Sequence, residues 1–210
     1  MTIELKQLIA KGANKLELSI TDSQIDLLIR YIELLSKWNK VFSLTAITNQ
    51  KDMVKHHILD ALSAIKYFVD RQKILDVGSG MGVPAIVLAI MLPSKSIIAI
   101  DSNVKKTSFL TQVKIELKLA NLAVINKRVE ELDAAENKFD IITSRAFADL
   151  NLFTRLTKHL LTESGYYLAF KGEKGLEEAN LLMNWQHQVI KLNVPYLDVE
   201  RFLIKMERYD

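Results

Sequence analysis

The sequence predicts an α/β protein in which a doubly wound, mostly parallel sheet follows a helical extension. From residue 73 onward, short apolar segments rich in β-branched residues alternate with helical segments. This alternation is typical of a parallel sheet covered by helices on both faces. Residues 1–68 show helical periodicity throughout. A glycine-rich segment also joins the first predicted strand to its helix, where open α/β sheets bind ligands. We therefore expect an extension over residues 1–68, packed on an α/β domain over residues 69–210.

In the extension, apolar residues recur every three or four positions, which predicts amphipathic helices. One series runs from Ile25 to Trp38, and Thr21 and Asp22 before it are residues that cap helix N-termini. A second helix is predicted over 51–68.

Seven strands and four helices are predicted in the α/β domain. The strands are expected at 73–77, 96–100, 123–126, 139–144, 166–170, 186–194 and 200–207. The helices are expected at 83–92, 105–119, 150–161 and 174–185. In this architecture, ligands bind at the carboxyl ends of the parallel strands.

Composition excludes several classes of protein. The 210 residues are 49% hydrophobic, which is too apolar for a disordered chain. The absence of cysteine excludes disulfides, thiolate metal sites and a cysteine nucleophile. No uninterrupted apolar stretch approaches the ~18 residues of a membrane span, and the N-terminus lacks the pattern of a secretory signal. We expect a cytoplasmic protein whose net charge of +3 permits a polyanionic partner.

The most informative segment is the loop at residues 76–84, Asp-Val-Gly-Ser-Gly-Met-Gly-Val-Pro. Three glycines at alternate positions let the backbone approach a flat ligand closely and adopt left-handed dihedral angles. Asp101 ends the next predicted strand, and a carboxylate there can accept hydrogen bonds from both hydroxyls of an adenosine ribose. The loop therefore predicts a nucleoside-containing cofactor, and its candidate ligands are Asp76, Gly78, Ser79, Gly80, Gly82 and Asp101.

Two cofactors fit this loop. A dinucleotide fingerprint is satisfied when it is counted from Gly80 to Ala85, so the spacing alone leaves NAD open. S-adenosylmethionine carries a sulfonium and an ammonium group instead of a pyrophosphate. Asp76 at the end of the first strand favours such a cationic ligand, and we therefore favour S-adenosylmethionine.

A series of short segments along nearly the whole sequence matches a known family. These segments are Lys37-Trp38-Asn39-Lys40, Leu44-Thr45, His57-Ile58-Leu59-Asp60, the loop 76–84, Asp101-Ser102, Lys105-Lys106, Phe109-Leu110, Arg128-Val129-Glu130, Phe139-Asp140, Ser144-Arg145-Ala146, Lys171-Gly172 and Val194-Pro195. Through them the chain resembles the bacterial methyltransferases that modify N7 of a guanine in small-subunit ribosomal RNA, also called the glucose-inhibited division protein B family. The WNK, HILD and SRA segments are the most specific part of this resemblance.

The resemblance implies a seven-stranded Rossmann-like methyltransferase sheet that binds S-adenosylmethionine. It further implies that Gly78 and Val83 line the cofactor and that Val129 and Glu130 lie beside its adenine. Asp101 and Ser102 would hold the ribose, and Arg145 would lie at the mouth of the site. The implied partner is 16S ribosomal RNA, either free, in the small subunit or in an assembly intermediate.

Cations at predicted strand ends are the candidates for catalysis and RNA binding. Guanine N7 has a free lone pair and no hydrogen, so its methylation requires alignment of two reactants rather than a general base. We expect Arg145 or Lys171 to contact O6 or a phosphate, because a contact at N7 would block the nucleophile. Arg128, Lys171 and Arg201 are expected to bind RNA together with Arg145. His57 is a further candidate on resemblance, and adjacent His56 and His57 are poorly arranged to chelate a metal. No metal is expected, and a monomer is the default.

Three rival functions remain open at this stage. A small-molecule methyltransferase would share the glycine loop, although the basic strand ends and the extension argue weakly against it. An NAD-dependent oxidoreductase would need a proton donor near the nicotinamide, and no His–acid pair is evident after the loop. A ribosome-binding protein without activity is disfavoured by the intact glycines and Asp101.

Overall fold

The computed structural model describes residues 2–209, which build a mixed, mostly parallel sheet of seven strands. The strand order is β3-β2-β1-β4-β5-β7-β6, with β7 antiparallel to both of its neighbours. The fold class predicted from the sequence is confirmed. The strands are β1 (Lys73–Val77), β2 (Ser96–Ile100), β3 (Leu122–Ile125), β4 (Phe139–Arg145), β5 (Leu161–Lys171), β6 (Gln186–Leu192) and β7 (Arg201–Glu207).

Helices precede the sheet and cover both of its faces. The extension contains α1 (Thr2–Lys15), α2 (Asp22–Phe42), α3 (Gln50–Met53), a π-helix (Val54–Leu59, here the π segment), α4 (Asp60–Ser63) and a 3₁₀ turn (Ile65–Phe68). The later helices are α5 (Ala85–Met91), α6 (Val104–Glu116), α7 (Leu150–Thr157) and α8 (Lys174–Asn180), with a 3₁₀ turn at Val129–Glu131. Within residues 2–209, no helix is both long enough and apolar enough to cross a bilayer.

The prediction of one continuous helix over 51–68 is wrong. That stretch is divided into α3, the π segment, α4 and the 3₁₀ turn. Apolar periodicity at three and four residues does not distinguish a π turn from an α turn, because the difference is one residue in the hydrogen-bond ladder. Such turns are frequent at functional sites.

The start of α2 is the capped terminus that the sequence predicts. Thr21 Oγ1 accepts a hydrogen bond from the Gln24 N–H, and Gln24 Oε1 accepts one from the Thr21 N–H, which completes a capping box. Gln24 Nε2 also donates to the Ile90 carbonyl at 3.3 Å. The first turn of α2 is thereby fixed to the end of α5.

The apolar core lies in two layers on opposite faces of the sheet. One layer contains side chains of the extension together with those of α5 and α6, for example Leu28, Ile86 and Phe109. The other layer contains Phe153 of α7 and Tyr167 of β5. The extension therefore shares a continuous core with the face of the sheet that α5 and α6 cover.

The topology brings five chain segments to one edge of the sheet. The parallel strands β1, β2, β4 and β5 all end there, and Val77 is paired with Ile100 on one side and Ser144 on the other. Because β7 is antiparallel to β5, its first residues lie beside Lys171. Arg201 thus reaches the same edge from the beginning of its strand.

Candidate active site

The glycine loop between β1 and α5 has no room for a side chain at Gly78. Gly78 has a φ of +67°, and a Cβ at this position would lie 2.6 Å from Cδ2 of Phe147. The N–H groups of Gly78 and Ser79 donate to the Ile100 carbonyl at 2.9 and 3.1 Å, which joins the loop to the end of β2. Glycine at 78 is therefore required by both the dihedral angle and the nearby ring.

Asp101 links the glycine loop to the start of α6. Its Oδ2 accepts a hydrogen bond from the Gly80 N–H at 3.0 Å, and its Oδ1 accepts one from the Asn103 N–H at 2.9 Å. Lys106 Nζ lies 3.6 Å from Oδ2. A carboxylate has about four lone-pair sites, so capacity remains for the two ribose hydroxyls that the sequence analysis assigned to it.

A cleft of about 290 Å³ opens at the ends of β1, β2 and β4. It brings together five of the predicted cofactor residues: Gly78, Asp101, Ser102, Val129 and Glu130. It also contains residues that sequence reasoning missed, namely Lys106, Lys127, Phe147 and Leu156. Phe147 could have been suspected, because it follows Arg145 by two positions at the end of a strand. Asp76, Ser79, Gly80, Gly82 and Val83 lie in or beside the loop without lining this cleft.

Asp76 is fully buried at the end of β1, and burial raises the pKa of its carboxyl group to about 7. Ser79 Oγ donates to the backbone carbonyl of Asp76 rather than to the carboxylate. Among residues 2–209, no donor meets hydrogen-bond geometry with either carboxylate oxygen, but the Ser79 hydroxyl and the Ala85 N–H lie close enough to oppose the rise in pKa. A buried carboxylate next to a ligand cleft is electrostatically suited to a cationic ligand.

A second cleft, of about 280 Å³, lies beside the first and contains Arg145, Lys171 and Arg201. Asp60, Ala146, Phe170 and Gly172 complete its lining. Ala146 contributes to both clefts and has a left-handed φ of 55°. Three of the four predicted cations are therefore together, whereas Arg128 lies at the first cleft, exposed and 3.9 Å from Glu130.

Acidic residues pair with the cations of the second cleft. Lys171 Nζ donates to Glu178 Oε2 and to the Ala148 carbonyl, both at 2.7 Å. Asp60 Oδ2 lies 3.3 Å from Arg145 Nη1, and Asp60 Oδ1 lies 3.6 Å from Arg201 Nε. No local pattern in the sequence indicates these pairs. Catalytic and RNA-binding roles for these cations stay predictions.

His57 lies inside the π segment and is 2% exposed. Its Nε2 is 3.2 Å from Thr45 Oγ1. Burial, with a contribution from the Arg145 charge, lowers the pKa of His57 to about 4, so the ring is neutral at physiological pH. The position offers no direct support for the predicted RNA contact of His57. Among residues 2–209, no group of three or more His, Cys, Asp or Glu residues could hold a metal ion.

Solved structures that are similar to this chain share its fold. One is a putative S-adenosyl-L-methionine-dependent methyltransferase from Methanococcus maripaludis, with a TM-score of 0.59 at 16% identity, which covers 85% of this chain and 92% of that one. Another is a ribosomal protein L11 methylase from Lactobacillus delbrueckii subsp. bulgaricus, with a TM-score of 0.56 at 17% identity, over 72% of this chain and 77% of that one.

Sequence relatives extend over nearly the whole chain. Ribosomal RNA small subunit methyltransferase G of Janthinobacterium sp. (strain Marseille) is 46% identical, over 97% of this chain and 95% of that protein. The protein of the same name from Laribacter hongkongensis is 47% identical, over 97% and 99%. Residues 24–204 match the family described as rRNA small subunit methyltransferase G. The resemblance found in the sequence is confirmed, and the chain belongs to the rRNA small subunit methyltransferase G family.

Proposed function

We propose that this protein transfers the methyl group of S-adenosylmethionine to N7 of a guanine in 16S ribosomal RNA. Membership of the methyltransferase G family supports this reaction. The observation that carries it is the pair of adjacent clefts that share Ala146 at the end of β4. A cofactor in the first cleft and a base in the second would meet at this residue.

The residues of the first cleft fit S-adenosylmethionine. Asp76 does not line this cleft, but its buried carboxylate belongs to the loop that borders it, and this favours the sulfonium and ammonium charges over a pyrophosphate. Asp101 offers hydrogen-bond acceptors to the ribose, while Val129 and Glu130 would lie beside the adenine. When bound, S-adenosylmethionine supplies an electrophilic methyl group.

In the second cleft, the chain has to orient the guanine rather than deprotonate it. N7 attacks with its own lone pair, so the contribution of the protein is alignment. Arg145 and Lys171 border this cleft and carry donors suited to guanine O6 or to a phosphate oxygen. A donor on O6 would fix the plane of the base and leave N7 free to react.

The reaction is tested by incubating the purified protein with S-adenosylmethionine labelled in its methyl group. The substrates are free 16S RNA, small subunits and assembly intermediates, all from a strain that lacks the protein. We propose that the protein acts on one of these, as a monomer in the cytoplasm. Digestion to nucleosides and mass spectrometry should find the label in 7-methylguanosine. Label in another nucleoside, in metabolites only, or in no product would overturn the proposal.

A further inference from the structure

The extension contributes a buried carboxylate to the substrate side of the site. We propose that Asp60 is a positioning residue that holds Arg145 and Arg201 side by side, so that their remaining N–H groups face RNA oxygen atoms in the second cleft. This inference rests on the proposed function, because it assigns the second cleft to the RNA substrate. The ligand atoms are the acceptors that guanidinium groups bind, guanine O6 or phosphate oxygen.

The geometry divides the two carboxylate oxygens of Asp60 between the two arginines. Oδ2 faces Arg145 Nη1 at 3.3 Å, and Oδ1 faces Arg201 Nε at 3.6 Å. The side chain of Asp60 is 1% exposed, whereas those of Arg145 and Arg201 are 18% and 27% exposed. Asp60 thus lines the cleft from its buried side, while the two guanidinium groups are the more exposed members of the cluster.

The π segment supplies a second contact to Arg145. Arg145 Nη2 donates to the carbonyl oxygen of His56 at 2.9 Å. In an α-helix that carbonyl would accept from the N–H of residue 60, but here the Asp60 N–H donates to the His57 carbonyl. Arg145 is thus held at two points by one short stretch of the extension.

The charges explain why the carboxylate is needed. Arg145 and Arg201 come from the end of β4 and the start of β7, and two guanidinium groups this close would repel each other without an anion between them. Burial raises the pKa of Asp60, and both guanidinium groups oppose that rise. Each guanidinium group has five N–H donors, so the contacts to Asp60 and to backbone carbonyls leave donors for a substrate.

The test compares Asp60→Asn with Asp52→Asn, a matched control in α3 whose carboxylate pairs with Lys55 at the surface. We expect Asp60→Asn to raise the KM for 16S RNA at least tenfold, with the affinity for S-adenosylmethionine unchanged within twofold. Asp52→Asn should behave as wild type. Equal KM values for the two variants, or an equal loss of RNA and cofactor affinity in Asp60→Asn, would overturn the proposal.

A double-mutant cycle separates positioning from a general structural role. In an Arg145→Gln, Arg201→Gln background, Asp60→Asn should change RNA affinity less than twofold, whereas a purely structural role would give multiplicative losses. If Asp60→Asn does not fold, Asp60→Glu is used instead, because it keeps the charge but displaces it by one methylene. This variant is expected to raise the KM for RNA, and a wild-type KM would contradict the proposal.

Two further readouts distinguish the ligand atoms and the source of any failure. Loss of a phosphate contact lowers the salt dependence of RNA binding by ~1 unit of slope per contact, whereas loss of an O6 contact leaves the slope unchanged. RNA binding is measured by fluorescence anisotropy, an assay that does not depend on methyl transfer. If the RNA affinity of the protein depends on Asp60 but the wild-type protein transfers no methyl group, the proposed function is overturned while this inference is supported.

Discussion

Gly78 of the glycine loop lies against the ring of Phe147, and the space between them is too small for a methyl group. Gly80 provides a matched comparison, because its φ is also positive, at +57°, but the nearest atom to an added Cβ would be 3.7 Å away. Both positions are unfavourable for an L side chain.

Gly80→Ala is therefore expected to cost ~1 kcal/mol of stability through its dihedral angle alone. Gly78→Ala adds the displacement of Phe147 and should cost ~3 kcal/mol in total, with a much larger loss of cofactor affinity. Denaturant melts and calorimetry with S-adenosylmethionine check both variants. Equal effects of the two substitutions would show that contact with Phe147 does not constrain Gly78.

Asp76 makes stability depend on pH. An unfolded aspartate releases its proton near pH 4, whereas the buried carboxyl retains it up to about pH 7. The folded state therefore binds more protons across this interval, and stability decreases as pH rises from ~4 to 7. Asp76→Asn should remove this decrease and stabilise the protein above pH 7 by up to ~4 kcal/mol, while it abolishes cofactor binding. Thermal melts from pH 4 to pH 8 measure the effect, and a variant that is less stable than wild type at pH 8 would contradict it.

At the residue scale, composition and motif spacing predict the glycine loop, Asp101 and the strand-end cations. They do not predict how the cations are paired. Asp60 and Arg145 are far apart in sequence and meet because the extension folds over the end of β4. Lys171 ends β5 and meets Glu178 in α8, the helix that follows this strand. Such pairs depend on tertiary structure and leave no local signal.

Among the elements, the strands were predicted best, because buried parallel strands are nearly continuous apolar segments. β1 and β2 have the predicted bounds, while β5 begins at Leu161 rather than at 166. Leu161 pairs with Phe139 and Tyr166 pairs with Ile141, so the residues between Leu161 and Tyr166 form an irregularity on β5. They include Glu163 and Ser164, which are too polar to indicate a strand. The π segment was not predicted, because tertiary contacts such as the one from Arg145 to the His56 carbonyl accompany it.

One hydrogen bond joins α2 of the extension directly to the glycine loop. The hydroxyl of Tyr31, which is fully buried, donates to the carbonyl of Met81 at 2.8 Å. Tyr31→Phe leaves this carbonyl without its donor and is expected to cost ~1–2 kcal/mol. It should also weaken S-adenosylmethionine binding severalfold, because Met81 lies between Gly80 and Gly82. Calorimetry and melting curves provide the check, and unchanged cofactor affinity would mean that α2 does not support the loop.

For the whole molecule, the shared core predicts that the extension and the α/β domain unfold together, and we propose residues 1–68 and 69–210 as parts of one cooperative unit. The two tryptophans report on the two core layers. Trp38 of α2 packs on Phe109 of α6, with ring centroids 5.6 Å apart. Trp185 packs on Tyr167 on the other face of the sheet, with ring centroids 4.9 Å apart. In Trp38→Phe and Trp185→Phe, the remaining tryptophan should give the same unfolding midpoint as circular dichroism. Different midpoints within either variant would indicate separate unfolding.

All functional proposals require that the cleft beside the glycine loop binds S-adenosylmethionine. Isothermal titration of the wild-type protein at pH 8, where Asp76 is ionised, tests this requirement most directly. We expect one molecule of S-adenosylmethionine bound per chain, a weaker affinity at pH 6, and no heat of binding with NAD. Saturable binding of NAD, with none of S-adenosylmethionine, would contradict it.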